Sequence, residues 1–91
     1  MIVRTLAKIK EQPASHEDKK HPGAFKKIIF KKEDIPKGLS LEMINWARIP
    51  KGMKFNRHYH QDMLEIFIMI KGKAEISVGN QKKIIQNGES V

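Results

Sequence analysis

From Ala24 onward, short apolar runs alternate with turn signals, a pattern typical of β-strands. No segment combines helix caps with a 3.6-residue hydrophobic period. Several short strands at this spacing predict an all-β sandwich or barrel. The predicted strands cover residues 25–32, 39–46, 64–70, 74–78 and 81–85.

Matching turn signals separate the predicted strands. Residues 35–38 and 49–52 both read Ile-Pro-Lys-Gly, in which proline fixes one φ angle and glycine accepts a positive one. Gly79 and Asn80 lie between two strand-like runs and predict a tight β-hairpin.

The first 24 residues differ from the rest of the chain. Residues 1–12 are too short a pattern to classify, and residues 12–23 are polar with two prolines and a glycine, which predicts an exposed loop. His16 and His21 lie in this loop without a regular ligand spacing, and we expect both to be solvent-exposed and outside any metal site. The predicted division is an N-terminal segment and loop, residues 1–24, followed by a barrel domain, residues 25–91.

Composition limits the class of protein. The chain has 91 residues, which is enough for one domain with a thin core. A formal charge of +8 favours anionic partners. However, the lysines are spread along the chain and few aromatic residues lie among them, so a solvated surface is the preferred interpretation and nucleic acid is not the expected partner.

Cellular location is predicted from what the sequence lacks. There is no cysteine and no secretory signal, so the cytoplasm is the default, although a cysteine-free chain fits any compartment. The longest apolar run covers residues 66–70, whereas a membrane-spanning helix needs about 20 residues. We therefore expect no membrane segment.

Candidate chemistry is concentrated between residues 52 and 72. On a strand, His58 and His60 would project from one face, about 7 Å apart. Glu65 has the wrong parity for that face, but a chain reversal at Gln61 and Asp62 would return its carboxylate to it. Two imidazoles and a carboxylate suit a divalent transition metal (Fe, Mn, Ni, Co, Cu or Zn) with positions left for water or substrate. The alternative is three polar residues that decorate an exposed sheet face.

Apolar residues follow the candidate ligands. Alternation places Phe67 and Met69 on the side of Glu65, with Ile66, Ile68 and Ile70 on the other side. Both faces of this strand are therefore apolar and expected to be covered. Phe67 and Met69 are predicted to line a substrate-binding wall, with ordinary core packing as the alternative.

The complete spacing is Gly-x5-His-x-His-x4-Glu-x6-Gly, matched by Gly52, His58, His60, Glu65 and Gly72. This pattern resembles the first motif of the cupin superfamily. The resemblance implies a double-stranded β-helix, a small jelly-roll barrel, in which the two histidines and the glutamate hold a metal.

A second cupin motif supplies a fourth ligand, a histidine. Residues 87–91 resemble its opening, with Gly88 as the first glycine, and the sequence stops before the histidine. We expect an incomplete barrel whose C-terminal strands are missing, from a longer domain. If Val91 is the native end, a partner chain is expected to pair with the open edge, as a homodimer.

The resemblance implies a small metal-binding cupin that binds or transforms a small polar metabolite. Sugar-phosphate isomerase-like and dioxygenase-like chemistry both occur among such proteins, and no separate acid, base or nucleophile is identifiable in the sequence. Two alternatives are a non-catalytic module that senses a ligand and a scaffold that dimerises without binding metal.

Overall fold

The computed structural model describes residues 1–91 and confirms the all-β prediction. Two short 3-10 turns, Leu6–Lys8 and Lys32–Asp34, are its only helical segments, and neither of them could span a bilayer. The chain divides into two units, Met1–His58 and Tyr59–Val91. The strands are β1 (Gln12–Pro13), β2 (Phe25–Lys31), β3 (Met43–Arg48), β4 (Lys73–Val78) and β5 (Gln81–Gln86).

The first unit contains a three-stranded antiparallel sheet in the order β1-β2-β3. A bulge between Ile28 and Phe30 shifts the β2–β3 register. The last residue of β2, Lys31, pairs with Met43, so the residues before Met43 have no strand beside them. The prediction that this strand begins at residue 39 is therefore wrong by four residues.

Both Ile-Pro-Lys-Gly segments form the predicted turns. The Leu39 N–H donates to the Pro36 carbonyl at 3.3 Å, and the Met53 N–H donates to the Pro50 carbonyl at 3.0 Å. Gly38 and Gly52 have φ of 91° and 80°, the left-handed region that glycine adopts without a steric penalty. The second turn lies immediately before the segment that contains the candidate ligands.

Residues 12–23 are not entirely the exposed loop that was predicted. Gln12 and Pro13 pair with β2, and Ala14 is buried. Its N–H donates to the carbonyl of Ala24 at 3.0 Å, and Ala24 is fully buried. The segment before the predicted boundary between residues 24 and 25 therefore pairs with the strand after it. The predicted division into residues 1–24 and 25–91 stays a prediction.

Arginine side chains support the three-stranded sheet. Arg48 makes a two-point contact with Glu11, at 2.7 and 3.1 Å, and its guanidinium lies 4.6 Å from the centre of the Phe25 ring. The hydrogen bond from Arg48 lowers the pKa of the Glu11 carboxyl and raises the pKa of Arg48. Arg4 contacts Asp34 at 3.1 Å, whose pKa is lowered chiefly by the Lys31 backbone N–H and also by Arg4.

The second unit is built on the β4–β5 hairpin. Val78 pairs with Gln81, and Gly79 at the first loop position has φ of 59°, as a type II′ turn requires. This confirms the predicted hairpin. Its inner side chain is Ile85, which is only 5% exposed.

The predicted strand at residues 64–70 forms only a short ladder. Phe67 and Val91 exchange two backbone hydrogen bonds at 2.8 and 2.9 Å, and the Met69 N–H donates to the Glu89 carbonyl at 2.8 Å. The prediction that both faces are covered is wrong, because no layer packs on the aliphatic side chains of this segment. The exposed ones are Leu64, Ile66, Ile68 and Ile70.

Candidate metal centre

His60 and Glu65 lie together at the start of the second unit. His60 Nε2 is 3.0 Å from Glu65 Oε1, and the chain bends at Gln61 and Asp62 between them. A change of chain direction was predicted at these two residues and is present, but it does not lead from one strand onto a neighbouring strand. Because a carboxylate only accepts, the ring Nε2–H donates to it when no metal is bound. The His60 side chain is 21% exposed and that of Glu65 is 46% exposed, so solvent reaches the pair.

His58 ends the first unit with a defined ring orientation. Its Nδ1 is 2.9 Å from the backbone carbonyl of Asn56. A carbonyl only accepts, so Nδ1 carries the proton and Nε2 carries the lone pair. Metal-binding histidines commonly donate their second ring N–H to a carbonyl or carboxylate in this way. The tautomer of His58 is therefore the one that coordination through Nε2 requires.

The strand predicted through His58 and His60 is absent. Residues 53–60 belong to no β-ladder, because no neighbouring segment pairs with them. The premise that strand alternation aligns the two rings is therefore wrong. Chain connectivity still limits the separation of their Cα atoms to about 7 Å.

His16 lies beside His58, which the sequence reasoning did not anticipate. The two imidazole rings stack with centroids 4.7 Å apart and an interplanar angle of 18°. One ring nitrogen of His16 lies within 4.8 Å of one ring nitrogen of His58. His16 is exposed, as predicted, and the expectation that it takes no part in a metal site stays a prediction. No spacing signal could have found this contact, because the two histidines are far apart in the sequence.

Glu17 holds the loop that carries His16. Its Oε1 accepts from the Gly23 N–H at 2.9 Å, and its Oε2 accepts from the Asn56 N–H at 2.7 Å. The Asn56 side-chain amide donates to the His16 carbonyl at 2.9 Å. One carboxylate therefore ties the β1–β2 loop to the segment that ends at His58.

Gly23 allows the same loop to pass close to the backbone of Lys54. A Cβ atom at Gly23 would collide with the Lys54 carbonyl oxygen. The requirement for glycine here comes from this close approach and not from a positive φ. The hydrogen bonds of Glu17 and the close approach at Gly23 thus both determine the position of the loop.

The ligand types and spacing fit a divalent transition metal. Two atoms that bind an octahedral metal at about 2.1 Å and at right angles to each other are about 3.0 Å apart. The His60 and Glu65 atoms already have a separation of 3.0 Å. Imidazole nitrogen with carboxylate oxygen is a donor set that such metals accept. These residues therefore fit a metal without large rearrangement.

Phe67 and Met69 belong to the segment that forms the short ladder with residues 88–91. Because alternate residues of an extended chain face the same way, their two side chains lie on one side of that ladder. Phe67 is 39% exposed and Met69 is partly buried. Their predicted role as a substrate-binding wall stays a prediction.

The family model described as "Cupin domain" matches residues 45–91, just over half of the chain. The chain therefore belongs to the cupin superfamily, which confirms the resemblance carried by the motif from Gly52 to Gly72. Members of this family often bind metals. Comparison with curated proteins and with solved structures finds no significant match.

Proposed function

We propose that this protein is a metal-binding cupin that binds or transforms a small polar metabolite. The proposed ligands are His58, His60 and Glu65. The observation that carries the proposal is the His60–Glu65 contact at 3.0 Å, which gathers an imidazole nitrogen and a carboxylate oxygen at the spacing of two ligands.

Each residue has a separate task in this proposal. Without a metal, Glu65 orients the His60 ring by accepting from its Nε2–H; with a metal bound, the carboxylate would instead offset part of the charge of the divalent cation. The Asn56 carbonyl fixes the tautomer of His58. When bound, a metal with three protein ligands and exchangeable positions polarises or orients substrate oxygens. Phe67 and Met69 form the proposed apolar wall beside it.

Two reaction types fit this arrangement, namely isomerase-like chemistry on a sugar phosphate and dioxygenase-like chemistry. The shifted pKa values of Glu11, Asp34 and Arg48 come from the hydrogen bonds and ion pairs of the first sheet. These groups stabilise that sheet and take no part in the proposed chemistry. Oxygen uptake with candidate diols or phenols by the metal-loaded protein would distinguish a dioxygenase from an isomerase.

The test is metal content measured by mass spectrometry on protein purified without chelator. Wild type should carry close to one divalent transition metal per chain, and the double variant His58→Ala/His60→Ala should carry almost none. His21→Ala is the matched control, because it removes another imidazole from the first unit, and it should retain the metal. Equal, near-zero metal in all three proteins would contradict the proposal.

A second candidate is a non-catalytic cupin module that senses a ligand or dimerises. It is favoured by the exposed aliphatic residues before β4, of which Leu64 is 87% and Ile66 is 69% exposed. Isolated exposed apolar residues are ordinary, but a continuous group of them is typical of an interface. Light scattering coupled to gel filtration should then give a homodimer mass that Leu64→Asp/Ile66→Asp reduces to that of a monomer.

A further inference from the structure

The His16–His58 stack is unusual for a loop histidine. His16 is the only residue other than glycine with a positive φ, 67°. Residues of this kind persist where surrounding contacts hold them, and they are concentrated at functional sites. The Asn56 amide on the His16 carbonyl and the Glu17 carboxylate on two backbone N–H groups are such contacts. The loop therefore places the His16 imidazole against His58 although the positive φ is an unfavourable backbone conformation for histidine.

Stacking alone would not require a second imidazole at this position. A phenyl or phenol ring stacks equally well and brings more apolar surface. Imidazole differs from those rings in carrying a nitrogen lone pair that binds transition metals. The tautomer of His58 places its own lone pair on Nε2, and a His16 ring nitrogen lies within 4.8 Å of a His58 ring nitrogen. The pair thus presents two metal-binding atoms near each other.

We infer that His16, supplied by the β1–β2 loop, is a further ligand of the metal bound by His58, and this inference rests on the proposed function. Ligand nitrogens on one metal are about 3 Å apart, so the His16 ring has to move by about one to two ångströms. The His16 side chain is exposed and can rotate about its two side-chain torsion angles, while the Asn56 amide holds the His16 carbonyl. The N-terminal loop would then contribute a ligand in addition to His58, His60 and Glu65.

The test adds Co²⁺ as the only metal. Calorimetric titration measures its affinity for the protein, and proton NMR of the cobalt-loaded protein reports on the coordinated imidazoles. Paramagnetic Co²⁺ shifts the exchangeable N–H resonance of each coordinated imidazole far outside the normal range. Wild type should show three such resonances, and His16→Gly should show two. Glycine suits the positive φ of this position, so the variant removes the ring without straining the backbone. Its affinity for Co²⁺ should fall by about 10-fold or more.

Three variants separate a ligand from a structural residue. His21→Gly, in the same loop, should keep three resonances and wild-type affinity. His16→Asn, which also tolerates a positive φ, should behave as His16→Gly does, with unchanged Trp46 fluorescence as evidence of folding. His58→Ala should lose one resonance and bind Co²⁺ more weakly.

The outcomes distinguish this inference from the proposed function. Two shifted resonances in wild type, with unchanged affinity in His16→Gly, would overturn the role of His16 and leave the proposed function standing. Loss of a resonance in His21→Gly instead would also overturn it. Absence of Co²⁺ binding by wild type would overturn both.

Discussion

The two units of the molecule are stabilised in different ways. In Met1–His58, side chains from distant parts of the sequence connect the elements, as Arg48 does with Glu11 and Glu17 does with Asn56. In Tyr59–Val91, backbone ladders dominate, and Ile85 is the one buried apolar side chain. The first unit therefore depends on specific polar partners and the second on local hairpin geometry.

This difference extends to the proposed ligands. His58 and His16 belong to the first unit, and their placement requires a loop fixed by Glu17 and Asn56. His60 and Glu65 belong to the second, and a bend of the chain between them is sufficient to join them. Changes that release the β1–β2 loop should therefore displace His16 and His58. The same changes should leave His60 and Glu65 in contact.

The largest effect is expected from removing the one buried side chain of the second unit. Ile85→Ala should lower its free energy of unfolding by about 2 to 3 kcal/mol, because transfer and cavity terms add. Ile84→Ala, on the adjacent and 62% exposed position, should change it by less than about 0.5 kcal/mol. Urea dependence of amide exchange in β4 and β5 measures both. Equal effects would show that Ile85 is not the structural centre of this unit.

Gly23→Ala should have the next largest effect, and in the first unit. Its Cβ would meet the Lys54 carbonyl, and overpacking of this kind costs about 1 to 3 kcal/mol. Gly38→Ala is the control, since a Cβ atom there would meet nothing within 4 Å although φ is 91°, and it should cost about 1 kcal/mol. Urea unfolding followed by the fluorescence of Trp46 in β3 reports on this unit.

Metal affinity sharpens the same comparison. Gly23→Ala should weaken Co²⁺ binding because it displaces the loop that carries His16, whereas Gly38→Ala should leave it unchanged. A loss of affinity in both variants would indicate a general effect of destabilisation instead.

The sequence predicted the features that depend on neighbouring residues. Both Ile-Pro-Lys-Gly turns, the hairpin at Gly79 and the meeting of His60 with Glu65 follow from spacing and turn chemistry. The cupin family, which the match over residues 45–91 shows, was likewise predicted from a pattern confined to residues 52–72.

The features that were missed depend on contacts between distant segments. The late start of β3 follows from its pairing with Lys31, which periodicity does not encode. The stacking of His16 on His58 follows from hydrogen bonds made by Glu17 and Asn56, two polar residues with no motif of their own. Covered faces were predicted for residues 64–70 because an apolar pattern signals burial without identifying what covers it.

A smaller effect is expected from removing one acceptor of the loop clamp, the contacts of Glu17 with Gly23 and Asn56. Glu17→Gln keeps one acceptor oxygen and places an amide where the second backbone N–H must be accepted, so the first unit should lose about 1 kcal/mol. Asp18→Asn is the matched control, since Asp18 accepts only from the N–H of Lys20 within its own turn. Trp46 fluorescence in urea measures both. Co²⁺ affinity should fall in Glu17→Gln alone, and unchanged affinity there would contradict the role of the clamp.

The smallest effect, and the one that most directly separates the two units, is their response to acid. Glu11 and Asp34 have lowered pKa values in the folded first unit, so the unfolded chain takes up their protons at a higher pH. The stabilisation they provide is complete above the ordinary carboxyl pKa, about 4, and is lost as pH falls below it. Arg48, with a raised pKa, stays charged throughout this range.

The urea midpoint reported by Trp46 should therefore fall between about pH 5 and pH 3 more than that of amide exchange in β4 and β5. Glu11→Gln/Asp34→Asn should reduce the pH dependence of the first unit, and Glu33→Gln, a carboxylate in the same 3-10 turn, should leave it unchanged. Added salt should reduce the effect in wild type, since exposed ion pairs are screened. An equal fall in both units would show that general charge repulsion, and not these two carboxylates, governs the acid response.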